Sequence, residues 1–136
     1  MYNYRFKPHT ADVRMVIRGG SPAELYLGAI DGMNKFLQPN ITTGGDIKTH
    51  EFRIESVDDA ALLVDFLSHM LTITFIDKRS YLLKEINFGP GPSAAGSVHG
   101  LPINGMKNEI KAVTYHEAYC RKLKTGMWEA GVIFDI

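Results

Sequence analysis

The sequence lacks most of the features that secreted, membrane-bound and nucleic-acid-binding proteins depend on. Cys120 is the only cysteine among 136 residues, so neither an internal disulfide nor a zinc cluster of cysteines can form. Lysine plus arginine number 15, as do aspartate plus glutamate, which leaves no surplus of cations for a dedicated grip on nucleic-acid phosphates. There is no signal-peptide pattern, and no apolar run approaches the roughly 18 residues of a membrane span. We therefore expect a cytoplasmic protein that does not contact a membrane.

The sequence also lacks the short motifs of common enzyme active sites. It contains no GxxxxGK[ST] phosphate loop, no GxGxxG dinucleotide loop, no HExxH helix and no GxSxG nucleophile turn. His116 lies four residues before Cys120 on one predicted strand, which allows a Cys–His nucleophile. A lone cysteine in a β-rich segment is more often a core residue. The sequence therefore gives little support for an enzyme with its own active site.

The composition is that of a globular domain. Hydrophobic residues make up 45% of the chain and charged residues 22%, a balance that allows a buried core. A length of 136 residues fits one domain, which we expect to span residues 1–136.

Hydrophobic periodicity predicts seven elements in the order β-α-β-α-β-β-β. Val13, Met15 and Ile17 alternate as in a strand, and Ser21 with Glu24 forms a capping box that opens a helix. The predicted elements are a strand at 13–18, a helix at 21–37, a strand at 50–56, a helix at 59–77, and strands at 81–88, 109–123 and 127–136. These layers predict an α+β fold with two helices packed on a mostly antiparallel sheet.

A segment rich in glycine and proline interrupts the second half of the chain. Residues 89–105 contain five glycines and three prolines. Both residue types are typical of turns and loops. We therefore expect a long surface loop that a partner would order.

Acidic groups stand near both ends of the sequence. The stretch "HTAD" places His9 and Asp12 before a predicted strand, and "GVIFDI" places Asp135 beside the α-carboxylate of Ile136. Such oxygens suit Ca²⁺ or Mg²⁺ and leave positions for water or a partner's group. The site requires the strands of Asp12 and Asp135 to lie side by side in the sheet. The alternative is that Asp12 caps a turn and His9 is an ordinary surface histidine.

Other polar residues also allow two interpretations. In "KAVTYH", Lys111 could contact a phosphate or an acidic group of a partner, or it could be a lysine that protects an edge strand from aggregation. Asp65 and His69 lie four residues apart on the second helix and could pair or bind a metal. Two ligands are too few to fill a metal's coordination shell, so a solvated helix face is the simpler interpretation.

The combination of motifs resembles the archease family over almost the whole chain. The stretches that carry the resemblance occur in order: "HTADVRM", "SPAEL" at the first helix, "DxAxLLVDFL" at the second, "EIKAVTYH", and "GVIFDI" at the end. The resemblance implies an α+β fold related to the strand-helix-strand-strand domain. It also implies an accessory protein, not an independent catalyst.

The resemblance further implies a partner and a site. Archeases assist the GTP-dependent tRNA-splicing RNA ligase, promoting its guanylylation and multiple turnover, so RNA would be contacted only through the ligase. Their divalent cation, often Ca²⁺, would be held here by Asp12, Asp135 and Ile136. Lys111 would match the family's functional lysine, and His9 belongs to the "HTAD" motif that also contains Asp12.

Two positions depart from the family pattern, and two other functions remain open. His69 stands where relatives tend to carry an acidic residue. The segment rich in glycine and proline at residues 89–105 stands where many members carry a more charged segment. A small metal-dependent hydrolase could use the same carboxylates to activate water. A structural adaptor would use them without any cation.

Overall fold

The computed structural model of the chain describes residues 1–8 and 12–136, which form eight strands and two helices. The elements are β1 (Tyr2–Pro8), β2 (Asp12–Gly19), α1 (Pro22–Leu37), β3 (Pro39–Ile41), β4 (Lys48–Glu55), α2 (Asp59–Asp77), β5 (Arg79–Phe88), β6 (Ser93–Met106), β7 (Ala112–Lys122) and β8 (Trp128–Asp135). The seven predicted elements are all present in the predicted order. Strands β1, β3 and β6 are additional.

The strands form two antiparallel sheets, which confirms the α+β fold class. The first sheet has the order β1-β2-β8-β7, and in the second β6 pairs with β3, β4 and β5. Side chains from both helices and both sheets belong to one hydrophobic core. Val13, Met15 and Ile17 are buried on β2, as the alternation predicts.

Helix α1 begins with the predicted capping box. The Ser21 hydroxyl accepts a hydrogen bond from the Glu24 N–H at 3.3 Å, and the Glu24 carboxylate accepts one from the Gly20 N–H at 3.1 Å. These bonds satisfy backbone donors that a helix start leaves without partners. The helix ends where Gln38 adopts a left-handed conformation with φ of 50°.

Helix α2 is capped by Asp58, whose carboxylate accepts a hydrogen bond from the Ala61 N–H at 2.8 Å. By length and composition it is apolar enough to cross a membrane, which the expectation that no apolar run approaches this length did not anticipate. The core helix of a soluble protein meets the same criterion, and half of the most apolar window is buried. The helix is thus weak evidence for a membrane span.

The expected loop at 89–105 was wrong, because most of it is the central strand β6. Two of its glycines, Gly96 and Gly100, allow close packing. A Cβ on Gly96 would collide with the backbone carbonyl of Glu85, and one on Gly100 would collide with the Tyr81 ring. Glycine in a strand marks such close approaches. Composition alone does not distinguish them from a flexible loop.

Two further strands, β1 and β3, were not predicted from the sequence. In β1, Tyr4 and Phe6 pack against the core while the intervening Arg5 is exposed, so an alternating signal was present. Strand β3 has three residues, too few for a periodic pattern to show. The strand predicted from residue 109 begins at Ala112.

Candidate functional site

The ladder between β2 and β8 brings two acidic residues together. Asp12 and Asp135 are direct Cα partners in this antiparallel pairing. Side chains opposite each other in such a ladder lie on the same face, with Cβ atoms about 4.5–5.5 Å apart. Asp12 is half-buried and Asp135 is exposed. The condition set by the sequence, that the two strands be neighbours, is therefore met.

The start of β7 closes the same corner of the sheet. Ala112 is the Cα partner of Asp135 on its other side, and the Lys111 N–H donates a hydrogen bond to the Asp135 carbonyl at 2.7 Å. Lys111 is exposed, and β7 is an edge strand. Exposure beside an edge strand is consistent with both interpretations of this lysine. His9 lies outside the described residues.

Ile136 follows Asp135 directly and is half-buried. Its side chain packs against the hydrophobic core. This contact holds the backbone after β8 in place, beside the two carboxylates. A carboxylate at Ile136 would therefore belong to a restrained segment.

The donor chemistry of the corner fits a hard cation only in part. In residues 1–8 and 12–136, no three His, Cys, Asp or Glu side chains lie together in a way that could hold a metal ion. Ca²⁺ takes roughly six to eight oxygen ligands, and Mg²⁺ usually keeps several waters. Asp12 and Asp135 would therefore need the α-carboxylate of Ile136, water or a partner's group to complete the shell. Their oxygens are of the type that these ions prefer.

Comparison with known proteins identifies the family. The archease protein family model matches residues 4–136. Protein archease of Methanosarcina barkeri is 30% identical over 141 residues, covering 98% of this chain and 95% of that protein. Protein archease of Thermococcus kodakarensis is 28% identical over 147 residues, covering 100% of each. The chain belongs to the archease family.

Two solved structures share the fold. The solution structure of protein 1598 from Methanobacterium thermoautotrophicum has a TM-score of 0.71 at 22% identity and covers 98% of both chains. The crystal structure of the Thermotoga maritima archease, described as a possible chaperone, has a TM-score of 0.63 at 22% identity and covers 96% of both chains. Likeness at this identity shows the shared archease fold.

This archease chain carries a buried glutamate that the sequence analysis missed. Glu129 is 4% exposed and lies on the same face of β8 as Asp135. One of its oxygens accepts a hydrogen bond from Arg18 at 2.6 Å. The other accepts from Arg121 and from the Tyr119 hydroxyl, each at 3.0 Å. The six-residue spacing from Asp135, an even number, was the available signal.

The environment of Glu129 keeps its carboxylate ionised. Burial alone would raise the pKa of Glu129, but the hydrogen bonds from Arg18, Tyr119 and Arg121 outweigh it, so the pKa is lowered. These bonds join β8 to both of its neighbouring strands. They thereby support the ladder that aligns Asp12 with Asp135.

The Cys–His alternative finds no support in the geometry. Burial, with a smaller contribution from Asp59, raises the pKa of Cys120 to about 11. A thiol with this pKa is almost entirely protonated at neutral pH and is a poor nucleophile. The His116 side chain is 78% exposed and lies 3.9 Å from Glu117.

The alternative in which Asp65 pairs with His69 is contradicted by the contacts that each residue makes. The Asp65 carboxylate accepts hydrogen bonds from the Ser56 and Tyr115 hydroxyls. The His69 Nε2 instead lies 3.3 Å from the Nε2 of His50 on β4. The side of α2 that carries these two residues is therefore not simply a solvated face.

Proposed function

We propose that this chain is an accessory activator of the GTP-dependent tRNA-splicing RNA ligase. It promotes guanylylation of the ligase and lets each ligase molecule join many RNA ends, in tRNA splicing and RNA repair. Membership of the archease family supports this role. The observation that carries the proposal is the pairing of Asp12 with Asp135 across β2 and β8, which sets two acidic residues opposite each other.

A divalent cation, Ca²⁺ or Mg²⁺, is the group these residues are suited to hold. Asp12 and Asp135 would contribute side-chain oxygens, and Ile136 its α-carboxylate. When bound, the cation would supply a positive charge that attracts oxygen ligands from the ligase or from a phosphate. The exposure of Asp135 supports access by such a partner.

Lys111 and His9 would serve the contact with the ligase. The backbone hydrogen bond to Asp135 fixes Lys111 beside the carboxylates, where its ammonium can reach a partner's acidic group or a phosphate. The zero net charge of the chain fits a division of labour in which the ligase, with its own cations, holds the RNA.

The test is ligation over time with limiting cognate ligase and excess cleaved tRNA that carries a 2′,3′-cyclic phosphate and a 5′-OH. With the wild-type chain, each ligase molecule should pass from a single turnover to many. Asp135→Asn keeps the shape of the side chain and removes its charge, so the gain should be lost. Glu51→Gln is the matched control, because Glu51 is an exposed acid on β4 of the other sheet.

Three results would count against the proposal. Full activation by Asp135→Asn, with folding verified by circular dichroism, would remove the role of the pair Asp12 and Asp135, which we call the carboxylate corner. No activation by the wild-type chain, with phosphoester cleavage by the chain alone, would favour the metal-dependent hydrolase. Activation without any effect of Ca²⁺ or Mg²⁺ on the melting temperature would favour an adaptor without a cation.

A further inference from the structure

Two histidines from different elements bring their ring nitrogens together between β4 and α2. The Nε2 atoms of His50 and His69 are 3.3 Å apart, and their ring centroids are 5.3 Å apart. Nineteen residues separate them in sequence. The contact is thus created by tertiary packing.

The separation matches what one transition-metal ion requires of two imidazole ligands. A zinc–nitrogen bond is about 2.0–2.1 Å, so two ligands at a tetrahedral angle have nitrogens about 3.3–3.4 Å apart. Without a metal, one of the two Nε2 atoms carries a hydrogen and donates it to the other. Binding one ion through both Nε2 atoms requires this hydrogen to move to Nδ1. That is a change of tautomer and not of charge.

The surroundings hold the pair in position without sealing it. His50 packs against the edge of the Tyr81 ring, with centroids 6.1 Å apart, and Tyr81 is 1% exposed. The Tyr81 hydroxyl donates to Asp77, which also lies 3.8 Å from the Lys48 ammonium. His50 and His69 themselves are half-buried. An ion could therefore reach ring nitrogens that are already ordered.

Both rings can act as ligands only in their neutral form, because only the neutral ring offers a lone pair to a metal. The described residues supply no third His, Cys, Asp or Glu ligand, so the remaining coordination positions would be open to water.

We infer that His50 and His69 form a binding site for a borderline divalent ion such as Zn²⁺, separate from the carboxylate corner. Imidazole nitrogen suits Zn²⁺, Ni²⁺ and Cu²⁺, whereas carboxylate oxygen suits Ca²⁺ and Mg²⁺. An ion held by both rings links β4 to α2. Because it binds only the folded chain, it raises the stability of the native state.

The first test is titration of the EDTA-treated full chain with ZnCl₂ at neutral pH by isothermal calorimetry. We expect one equivalent of Zn²⁺ to bind to the wild type. His50→Asn and His69→Asn should each weaken this binding by roughly tenfold or more, since even changes beyond the ligands cost about that much. The matched control is His116→Asn, which removes an exposed histidine on β7 and should leave binding unchanged.

A second measurement needs no variant. In the ¹⁵N-labelled wild-type chain, Zn²⁺ should shift the Nε2 resonances of two histidines together, at one equivalent. Absence of Zn²⁺ binding, unchanged Nε2 resonances, or an equal loss of affinity in His116→Asn would overturn the site. The spectrum of the wild type decides the matter even where a substituted chain fails to fold.

Discussion

The carboxylate corner and the histidine pair are alike in form and opposite in chemistry. Each joins two elements through a pair of side chains that share a donor type. Asp12 and Asp135 face each other across neighbouring strands of one sheet, with Asp135 exposed. His50 and His69 join a strand to a helix and are half-buried. One pair offers hard oxygen, the other borderline nitrogen.

The difference shows how each pair is specified. The carboxylates meet because β2 and β8 pair in a register that sets Asp12 opposite Asp135. A slip by one residue would turn Val13 and Phe134 out of the core. The histidines meet because α2 packs near β4, a matter of tertiary packing. The first pair follows from strand adjacency, and the second requires the whole fold.

The largest effect is expected from exchanging the donor type of the carboxylate corner. In Asp12→His/Asp135→His, the stabilisation by Ca²⁺ should vanish and activation of the ligase should be lost. Because changes beyond the ligands cost roughly 10–100-fold in metal affinity, replacing two ligands should cost at least as much. Thermal denaturation with Ca²⁺ and with Zn²⁺ measures the exchange.

The histidine pair provides the reference for this exchange. If the two regions are independent, Zn²⁺ binding at His50 and His69 is the same in the exchanged chain as in the wild type. Retention of the Ca²⁺ effect after both replacements would mean that Asp12 and Asp135 do not hold the ion. Glu51→Gln again tests for a general effect of lost negative charge.

The next effect concerns Glu129, which supports the carboxylate corner from the same sheet face. Glu129→Gln should destabilise the chain by about 1–3 kcal/mol, because it removes the charge from hydrogen bonds to two arginines. The half-exposed Arg18 and more exposed Arg121 can regain water, which keeps the loss below that of a fully buried pair. Urea denaturation measures it. An unchanged midpoint would mean that the network is not stabilising.

The same residue sets a pH dependence with a defined sign. The folded pKa of Glu129 is lowered, so its contribution is present above the ordinary glutamate pKa of about 4.3. It is lost as the pH falls through the lower folded value. In Glu129→Gln, the difference in stability from the wild type should therefore shrink as acid is added.

The fold was predictable where local signals and burial agree. The capping box at Ser21 and the alternation of Val13, Met15 and Ile17 along β2 were predicted correctly, because each reflects a local requirement of its element. Strand β6 was not predicted, because a segment rich in glycine and proline resembles a loop. Only the fold shows the Glu85 backbone and the Tyr81 ring lying against Gly96 and Gly100. That information belongs to neighbouring strands and not to the segment itself.

The site was predictable to the extent that it depends on strand adjacency. Asp12 and Asp135 were singled out by residue type, and the β2–β8 ladder brings them together. Whether they bind a cation stays a prediction. The contact of His69 with His50 was not foreseen, because the sequence offered Asp65, one turn away, as the nearer partner. Helical spacing reveals neighbours on one element but not across two.

A smaller effect should separate the histidine pair from a purely structural contact. In metal-free buffer, the coupling free energy between His50→Asn and His69→Asn should be about 1 kcal/mol, the size of one hydrogen bond. Zn²⁺ should enlarge this coupling, since the ion requires both rings. A double-mutant cycle by thermal denaturation, with and without Zn²⁺, measures both values. A coupling that Zn²⁺ leaves unchanged would contradict metal binding by the pair.

The smallest effect on stability is expected at Lys111, although it lies beside the carboxylate corner. Its side chain is exposed, and the hydrogen bond to Asp135 comes from its backbone, so Lys111→Gln should change stability by less than about 0.5 kcal/mol. Ligase activation should nevertheless fall severalfold, because the acidic group or phosphate of the partner would no longer meet the Lys111 ammonium. Lys124→Gln, in the exposed turn before β8, is the matched control. Equal activation by both variants would leave Lys111 as an edge-strand lysine whose charge only discourages pairing with another chain.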